Sequence, residues 1–134
     1  MLYYGLVSTH TIQQNGNRYL QLQIVGGREY MSALEITKEN FQKEVLESEK
    51  PVLIDFWATW CGPCQAVGPI VEEIAEERSE VKVCKVNVDE QPELAVKFRV
   101  MSIPTLILVK GGVEADRAVG ARPKEEILAF LGLK

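Results

Sequence analysis

The chain has 134 residues, 46% of them hydrophobic, and carries a formal net charge of −4. This length and apolar content are typical of one domain with a packed core. The acidic balance argues against a nucleic-acid partner, and the absence of an apolar run long enough to cross a bilayer argues against a membrane partner.

Residues 1–32 contain one pattern typical of a strand, the alternation of polar and apolar residues from Tyr19 to Ile24. Asn15-Gly16, just before it, favours a turn that would pair this strand with Thr9–Gln13 as a hairpin. Disorder is the alternative, because an isolated hairpin is marginally stable without something to pack on.

From Ala33 onward, short apolar runs alternate with segments of helical periodicity. The predicted strands are 34–36, 52–58, 81–88, 105–110 and 113–119, and the last two are joined by a turn at Gly111-Gly112. Four helices are predicted. Thr37 caps the first, which has Phe41, Val45 and Leu46 on its inner face. The second covers 65–78, the third is short and lies within 89–100, and the last carries the apolar residues Ile127, Leu128 and Leu131. This order is compatible with an α/β fold whose central mixed sheet is covered on both faces.

Two cysteines stand where the strand that starts at Val52 gives way to the helix that starts near Gln65. The first turn of a helix has unpaired N–H groups and the positive end of the helix dipole, and both stabilise an anion. The pKa of a thiol at Cys61 should therefore fall, which makes it a usable nucleophile near neutral pH. We expect the sulfur of Cys61 to face outward and Cys64, one turn later, to be more protected. After Cys61 attacks a substrate disulfide, Cys64 can attack Cys61 and release the reduced substrate.

A zinc site is the alternative interpretation of Cys-x-x-Cys, since this spacing is also a metal knuckle. Zinc would need two further ligands, and the sequence offers Cys84 and a single histidine, His10, far upstream. We therefore expect no metal, and we interpret Cys84 as a small apolar core residue. The cysteine pattern fits a reducing compartment rather than a disulfide framework.

Trp60-Cys61-Gly62-Pro63-Cys64 resembles the active-site motif of the thioredoxin family. Asp55-Phe56-Trp57-Ala58 before it, Pro69 inside the following helix and Ile103-Pro104-Thr105 further on match the same family. The resemblance extends from about Leu34 to the C-terminus. It implies the thioredoxin fold for residues 33–134, with Gly62 and Pro63 setting the geometry of the two cysteines.

Asp55 interrupts an otherwise apolar strand, and burial without a partner should raise the pKa of its carboxyl. The resemblance implies that Asp55 accepts a proton for Cys64 during disulfide opening, through a water molecule, and that Lys85 tunes Asp55 without reacting itself. An acid satisfied by local hydrogen bonds is the simpler alternative.

The resemblance also implies a docking patch for protein substrates. Its members are Trp60, Ile103, Pro104, Gly120 and Ala121. Ile103-Pro104 resembles the family's cis-proline segment, which would leave the Ile103 backbone able to pair with an extended substrate. An ordinary trans proline at a strand start and plain core or surface tryptophans at positions 57 and 60 are the alternatives.

Residues 1–32 lie outside the resemblance. Our preferred hypothesis is that they come from a start codon assigned too far upstream, because Met31-Ser32 directly precedes the point where the resemblance begins, and codons for Gly26-Gly27-Arg28 can spell a purine-rich ribosome-binding sequence. A genuine extension of the domain is the alternative.

We therefore predict a cytoplasmic, monomeric protein-disulfide reductase that cycles between the Cys61-Cys64 disulfide and dithiol without a bound cofactor. The resemblance implies that a thioredoxin reductase supplies its electrons and that oxidised proteins receive them. A disulfide oxidase or isomerase is one alternative, which Gly62-Pro63 disfavours. A non-redox binding module of a larger complex is another, which the intact cysteine pair disfavours.

Overall fold

The computed structural model describes residues 7–14, 18–25 and 28–134. Its first three strands, β1 (Val7–Gln14), β2 (Arg18–Val25) and β3 (Arg28–Met31), form an antiparallel sheet in that order. The predicted turn at Asn15-Gly16 lies outside the described residues. The prediction that residues 1–32 are separate from a domain of residues 33–134 stays a prediction. The three strands do not show whether residues 1–32 belong to the protein that the cell makes.

The main sheet contains five strands in the order β4-β6-β5-β7-β8. They are β4 (Leu34–Glu35), β5 (Val52–Trp57), β6 (Lys82–Asn87), β7 (Thr105–Lys110) and β8 (Val113–Val119). Strands β4, β6 and β5 are parallel to one another, whereas β7 is antiparallel to β5 and to β8. The predicted mixed sheet is confirmed, and β5, which leads into the cysteine motif, is its central strand.

Three α-helices follow the predicted segments: α1 (Gly62–Glu77), α2 (Pro92–Lys97) and α3 (Lys124–Phe130). Alternating residues of β5 divide the core into two layers. Ile54 and Phe56 face a layer that includes Leu94 of α2, whereas Leu53 faces one that includes Val71 of α1 and Ile127 of α3. Since Asp55 and Trp57 alternate with Ile54 and Phe56, they point to the α1 side of the sheet.

The predicted helix after Thr37 is wrong in its form. The structure has a short π-helical turn at Gln42–Leu46, although Phe41 and Val45 are buried as expected. Thr37 does not cap it through its side chain. Instead, the side chain of Asn40 accepts a hydrogen bond from the Thr37 N–H (2.8 Å) and donates one to the carbonyl of Glu35 (3.0 Å).

The helix predicted within 89–100 is shorter than that segment, because Asn87 holds the preceding residues in a turn. Its side-chain oxygen accepts hydrogen bonds from the N–H groups of Asp89 (2.9 Å) and Glu90 (3.2 Å). An asparagine that bonds the backbone two residues later stabilises a turn in place of a helix, and α2 begins only at Pro92. The predicted turn between β7 and β8 is confirmed, with Gly111 and Gly112 both at positive φ (58° and 80°), as hairpin turns require.

Candidate active site

Cys61 and Cys64 form a disulfide at the junction of β5 and α1, with their Cα atoms 5.3 Å apart. Cys61 is the N-cap of α1, and its Sγ accepts a hydrogen bond from the backbone N–H of Cys64 (3.2 Å). The helix is 16 residues long and has no acidic side chain in its first turn. The end of its dipole therefore acts on Cys61 Sγ without a competing negative charge from that turn.

Both cysteines are buried in the disulfide form, with Cys61 4% and Cys64 3% exposed. The expectation that the Cys61 sulfur faces outward is therefore wrong for this form. Ala58, Val88 and Ile103 pack around the pair, and Cys61 Sγ lies 3.7 Å from the carbonyl oxygen of Ile103. Because Ile103 is distant along the chain, the local sequence around the motif does not reveal this cover.

Asp55 lies behind the disulfide, at 1% exposure. Together with Cys64 and Lys85, it lines a cavity of about 250 Å³ between β5 and α1. Its Oδ1 has no hydrogen-bond partner among the described residues. Burial is the largest influence on the carboxyl and raises its pKa to about 7, against the lowering effect of Lys85, while Glu72 and Glu35 raise the pKa further. The predicted direction of the pKa shift is confirmed, whereas the role as proton acceptor stays a prediction.

Lys85 stands beside Asp55 across the sheet. In the parallel pairing of β5 with β6, Lys85 is level with Asp55, and in that of β4 with β6 it is level with Glu35. Its ammonium lies 3.6 Å from a carboxylate oxygen of Glu72 and 4.7 Å from the centre of the Trp57 ring. Lys85 is thus close enough to influence Asp55. Among the described residues, however, Lys85 forms its ion pair with Glu72.

Of the residues of the predicted docking patch, Ile103 packs against the disulfide. Trp60 is 70% exposed, and its indole N–H donates a hydrogen bond to the carboxylate of Asp89 (2.8 Å). Trp60 and Ile103 line the same open groove, which has a volume of about 380 Å³. The Ile103-Pro104 peptide bond is cis, as the resemblance implies.

Gly120 lies next to Pro104, because its N–H donates a hydrogen bond to the Pro104 carbonyl (2.8 Å). Its φ of +96° is one that side-chain-bearing residues rarely adopt. Gly62, Pro63 and Ala121 are exposed, and a Cβ built on Gly62 would meet no atom of the described residues within 4 Å. The backbone is therefore open to approach at Gly62.

Cys84 is fully buried between Leu34 and Ile54 on the neighbouring strands. Burial raises the pKa of its thiol to about 12. The prediction that Cys84 is a small core residue is confirmed. In the described ranges, no three His, Cys, Asp or Glu side chains are grouped closely enough to hold a metal ion, and no helix there has the length and apolar character of a membrane span.

The sequence interpretation missed Glu72 and Glu35, whose carboxylates act on Asp55. Glu72 had a detectable signal, since Cys64, Gly68 and Glu72 are spaced by four residues and so share one face of a helix. Glu35 had none, because its neighbourhood depends on the register of β4 against β6.

Comparisons with known proteins agree with this geometry. Residues 32–132 match the model of the family described as Thioredoxin. Thioredoxin 1 of a Nostoc species is 51% identical over 94 residues, which are 69% of this chain and 88% of that protein. Thioredoxin of Mycobacterium bovis is 52% identical over 104 residues, which are 77% of this chain and 90% of that protein.

A much longer relative is the bifunctional thioredoxin reductase/thioredoxin of Mycobacterium leprae, which is 53% identical over 99 residues. The match covers 73% of this chain but only 22% of that protein. The matched family model, the two relatives of similar length and the Cys61-Cys64 pair at a helix N-terminus agree with one another. The chain therefore belongs to the thioredoxin family and is a thiol-disulfide oxidoreductase that reduces protein disulfides through a reversible Cys61-Cys64 dithiol/disulfide.

Proposed function

We propose that Cys61 is the attacking thiol of this reaction and Cys64 the resolving one. The observation that carries the assignment is the hydrogen bond from the Cys64 N–H to Cys61 Sγ at the start of α1. The same N–H would stabilise a thiolate at Cys61 after reduction. Gly62 and Pro63 form the first turn between the two sulfurs and set their spacing.

The reaction then takes two thiol-disulfide exchanges. The Cys61 thiolate attacks one sulfur of the substrate disulfide, so that a Cys61-substrate disulfide forms and the other substrate sulfur leaves as a thiolate, which takes a proton. Cys64 loses its proton and attacks Cys61 Sγ, which releases the second substrate thiolate and restores the Cys61-Cys64 disulfide. The substrate is reduced by two electrons, and the cysteine pair is oxidised by two.

Asp55 is the proton acceptor for Cys64 in the second exchange. The two residues line the same cavity, whose volume of about 250 Å³ is enough for water molecules. The charged side chains of Glu72 and Lys85 in its lining offer further partners to a water that bridges Asp55 and Cys64. A carboxyl whose pKa is about 7 is well matched to proton transfer near neutral pH. Lys85 tunes Asp55 from the neighbouring strand and does not itself react.

Substrates dock on the patch formed by Trp60, Ile103, Pro104, Gly120 and Ala121. The carbonyl of Ile103, 3.7 Å from Cys61 Sγ, is in position to pair with an extended substrate backbone whose cysteine meets Cys61. Pairing through the main chain gives affinity without demanding one substrate sequence. The apolar groove beside Trp60 and Ile103 would receive a neighbouring side chain of the substrate.

The electron donor is a thioredoxin reductase, and no cofactor is bound. Support comes from the Mycobacterium leprae relative, whose name joins a thioredoxin reductase and a thioredoxin in one chain. We place the protein in the cytoplasm, where catalytic thiols stay reduced, and expect it to act as a monomer on oxidised proteins.

Residues 33–134 form the catalytic domain, which agrees with a family model that matches residues 32–132.

Trapping experiments test the cysteine assignments. With Cys64→Ser, a mixed disulfide between Cys61 and a protein substrate should accumulate, because the resolving sulfur is gone. With Cys61→Ser, no such adduct should form, and Cys84→Ser is the matched control that should turn over normally. An adduct that forms through Cys64 in the Cys61→Ser variant would reverse the assignment, and full biological activity of a Cys61→Ser/Cys64→Ser variant would favour the non-redox binding module.

A further inference from the structure

Glu72 has a defined geometry that the exchange mechanism above does not use. It lies on α1 two turns after Cys64 and lines the same cavity as Asp55. One of its carboxylate oxygens accepts a hydrogen bond from the N–H of Ala33 (3.0 Å), and the other lies 3.6 Å from Lys85 Nζ. Both oxygens are therefore engaged, which restrains the position of the carboxylate.

The ammonium of Lys85 has two acidic neighbours in the sheet and one on the helix. Asp55 and Glu35 are level with Lys85 on the strands at either side, yet its ion-pair partner among the described residues is Glu72. The side chains of Lys85 and Glu72 are 20% and 36% exposed, whereas Asp55 is 1% exposed. The ion pair thus lies at the solvent side of the cavity, and Asp55 lies at its inner end.

We propose that Glu72 is a positioning residue of the disulfide exchange, which holds the Lys85 ammonium at the mouth of the cavity so that Asp55 keeps the basicity it needs to take the proton of Cys64. This inference rests on the proposed role of Asp55 as proton acceptor. The proton moves from the Cys64 thiol to the Asp55 carboxylate as Cys64 attacks Cys61.

The physical reason is the competition between the two carboxylates for one cation. If the ammonium of Lys85 turned toward Asp55, it would stabilise the charged carboxylate and make it a weaker base. Glu72 opposes this in two ways, since it attracts the ammonium and adds a negative charge of its own near Asp55. Among the described residues, the charged or titratable groups that face Asp55 are Lys85 on β6, Glu35 on β4, and Glu72 and Cys64 on α1. Burial remains the largest cause of the raised Asp55 pKa, and Glu72 adds to it.

Glu72→Gln tests the proposal, because glutamine keeps an oxygen for the Ala33 N–H but loses the charge. The titration of Asp55 is followed by carboxyl-carbon NMR in the oxidised full-length protein, and the pH dependence of protein-disulfide reduction is measured on the same variants. We expect Glu72→Gln to lower the pH at the midpoint of the Asp55 titration by about half a pH unit or more. The acidic limb of the pH dependence of the reduction rate should move to lower pH by a similar amount. Lys85→Gln should move the midpoint in the opposite direction. Glu76→Gln removes the same charge from an exposed position of the same helix and should leave the midpoint in place.

The double variant Glu72→Gln/Lys85→Gln shows whether Glu72 acts through Lys85. The effect of Glu72→Gln should shrink when Lys85 is already absent, which is the coupling that a double-mutant cycle measures. An equal shift with and without Lys85, or no shift in the single Glu72→Gln variant, would overturn the positioning role. Asp55→Asn separates this failure from that of the proposed function. If the pH dependence of the rate is unchanged in Asp55→Asn, Asp55 is not the proton acceptor and the proposed function fails. If it changes in Asp55→Asn while Glu72→Gln has no effect, only the role of Glu72 is refuted.

Discussion

Asp55→Asn should stabilise the oxidised protein at and above neutral pH, because the native environment of Asp55 opposes its negative charge. In the folded protein, burial raises the pKa of this carboxyl to about 7 from an ordinary value near 3.8. The folded state therefore binds the proton more tightly than the unfolded chain does. The resulting stability is fully present below about pH 3.8, decreases as the pH rises toward about 7, and is lost above that.

The magnitude follows from the same pair of values. The difference between 3.8 and about 7, at about 1.36 kcal/mol per pH unit, corresponds to about 4 kcal/mol. Asparagine has nearly the shape of a protonated aspartic acid and carries no charge at any pH. The stability advantage of Asp55→Asn should thus grow from near zero at pH 4 to an upper limit of about 4 kcal/mol at pH 8, since water in the cavity reduces the cost of the charge.

Urea unfolding of the oxidised proteins, measured between pH 4 and pH 8, gives the free energy of unfolding at each pH. Glu76→Gln is the control, because it removes an exposed carboxylate, and its difference from the unmodified protein should be small and nearly independent of pH. An advantage of Asp55→Asn that is equally large at both ends of the range would refute the reasoning. So would a variant that is less stable than the unmodified protein at pH 8.

Three further predictions concern other parts of the molecule. Lys82→Met should destabilise the protein by about 3 kcal/mol in urea unfolding, because the buried Glu44 carboxylate loses its cation. In the native protein this carboxylate lies 2.5 Å from Lys82 Nζ. A Glu44→Leu/Lys82→Met double variant that is no more stable than Lys82→Met would contradict the explanation. Cys84 should resist alkylation at pH 8 in the reduced native protein, as its burial and raised pKa require; labelling before unfolding, detected by mass spectrometry, would show that the thiol is accessible. Trp60→Ala should raise KM for protein disulfides several-fold with little change in kcat. Val113→Ala is the control, since it shortens another exposed apolar side chain, and it should change neither KM nor kcat. A fall in kcat without a rise in KM in Trp60→Ala would argue against a docking role.

The sheet and the larger helices could be predicted because their signals are local. The apolar run from Val52 and the helical spacing of Val67, Val71 and Ile74 appear directly in the sequence, and all are fully buried. The π-helical turn could not be predicted in this way. Its form accompanies a tertiary contact, in which Lys82 Nζ donates to both the side chain and the backbone carbonyl of Glu44. That carbonyl is thereby bonded to a strand 38 residues away, which no local periodicity indicates.

The position of the cysteine pair and the burial of Asp55 were predictable for a related reason, since these residues stand close together in the chain. The burial of Cys61 and the contact of Glu72 with Lys85 were not predictable. Ile103 reaches Cys61 across 42 residues, and Glu72 meets Lys85 only because α1 lies over the β6 side of the sheet with a particular rotation. Contacts of this kind depend on how the elements pack, so they emerge only from the three-dimensional structure.

An equilibrium redox titration of Cys61-Cys64 against glutathione or dithiothreitol, followed by tryptophan fluorescence, tests the central claim most directly. A protein-disulfide reductase should have a potential near about −270 mV, which is the reference value for thioredoxin as a family rather than a prediction from this structure. A potential near about −180 mV, the reference value for protein disulfide isomerase, would contradict the reductase function and favour an oxidase or isomerase. The absence of any redox transition would leave only a binding role.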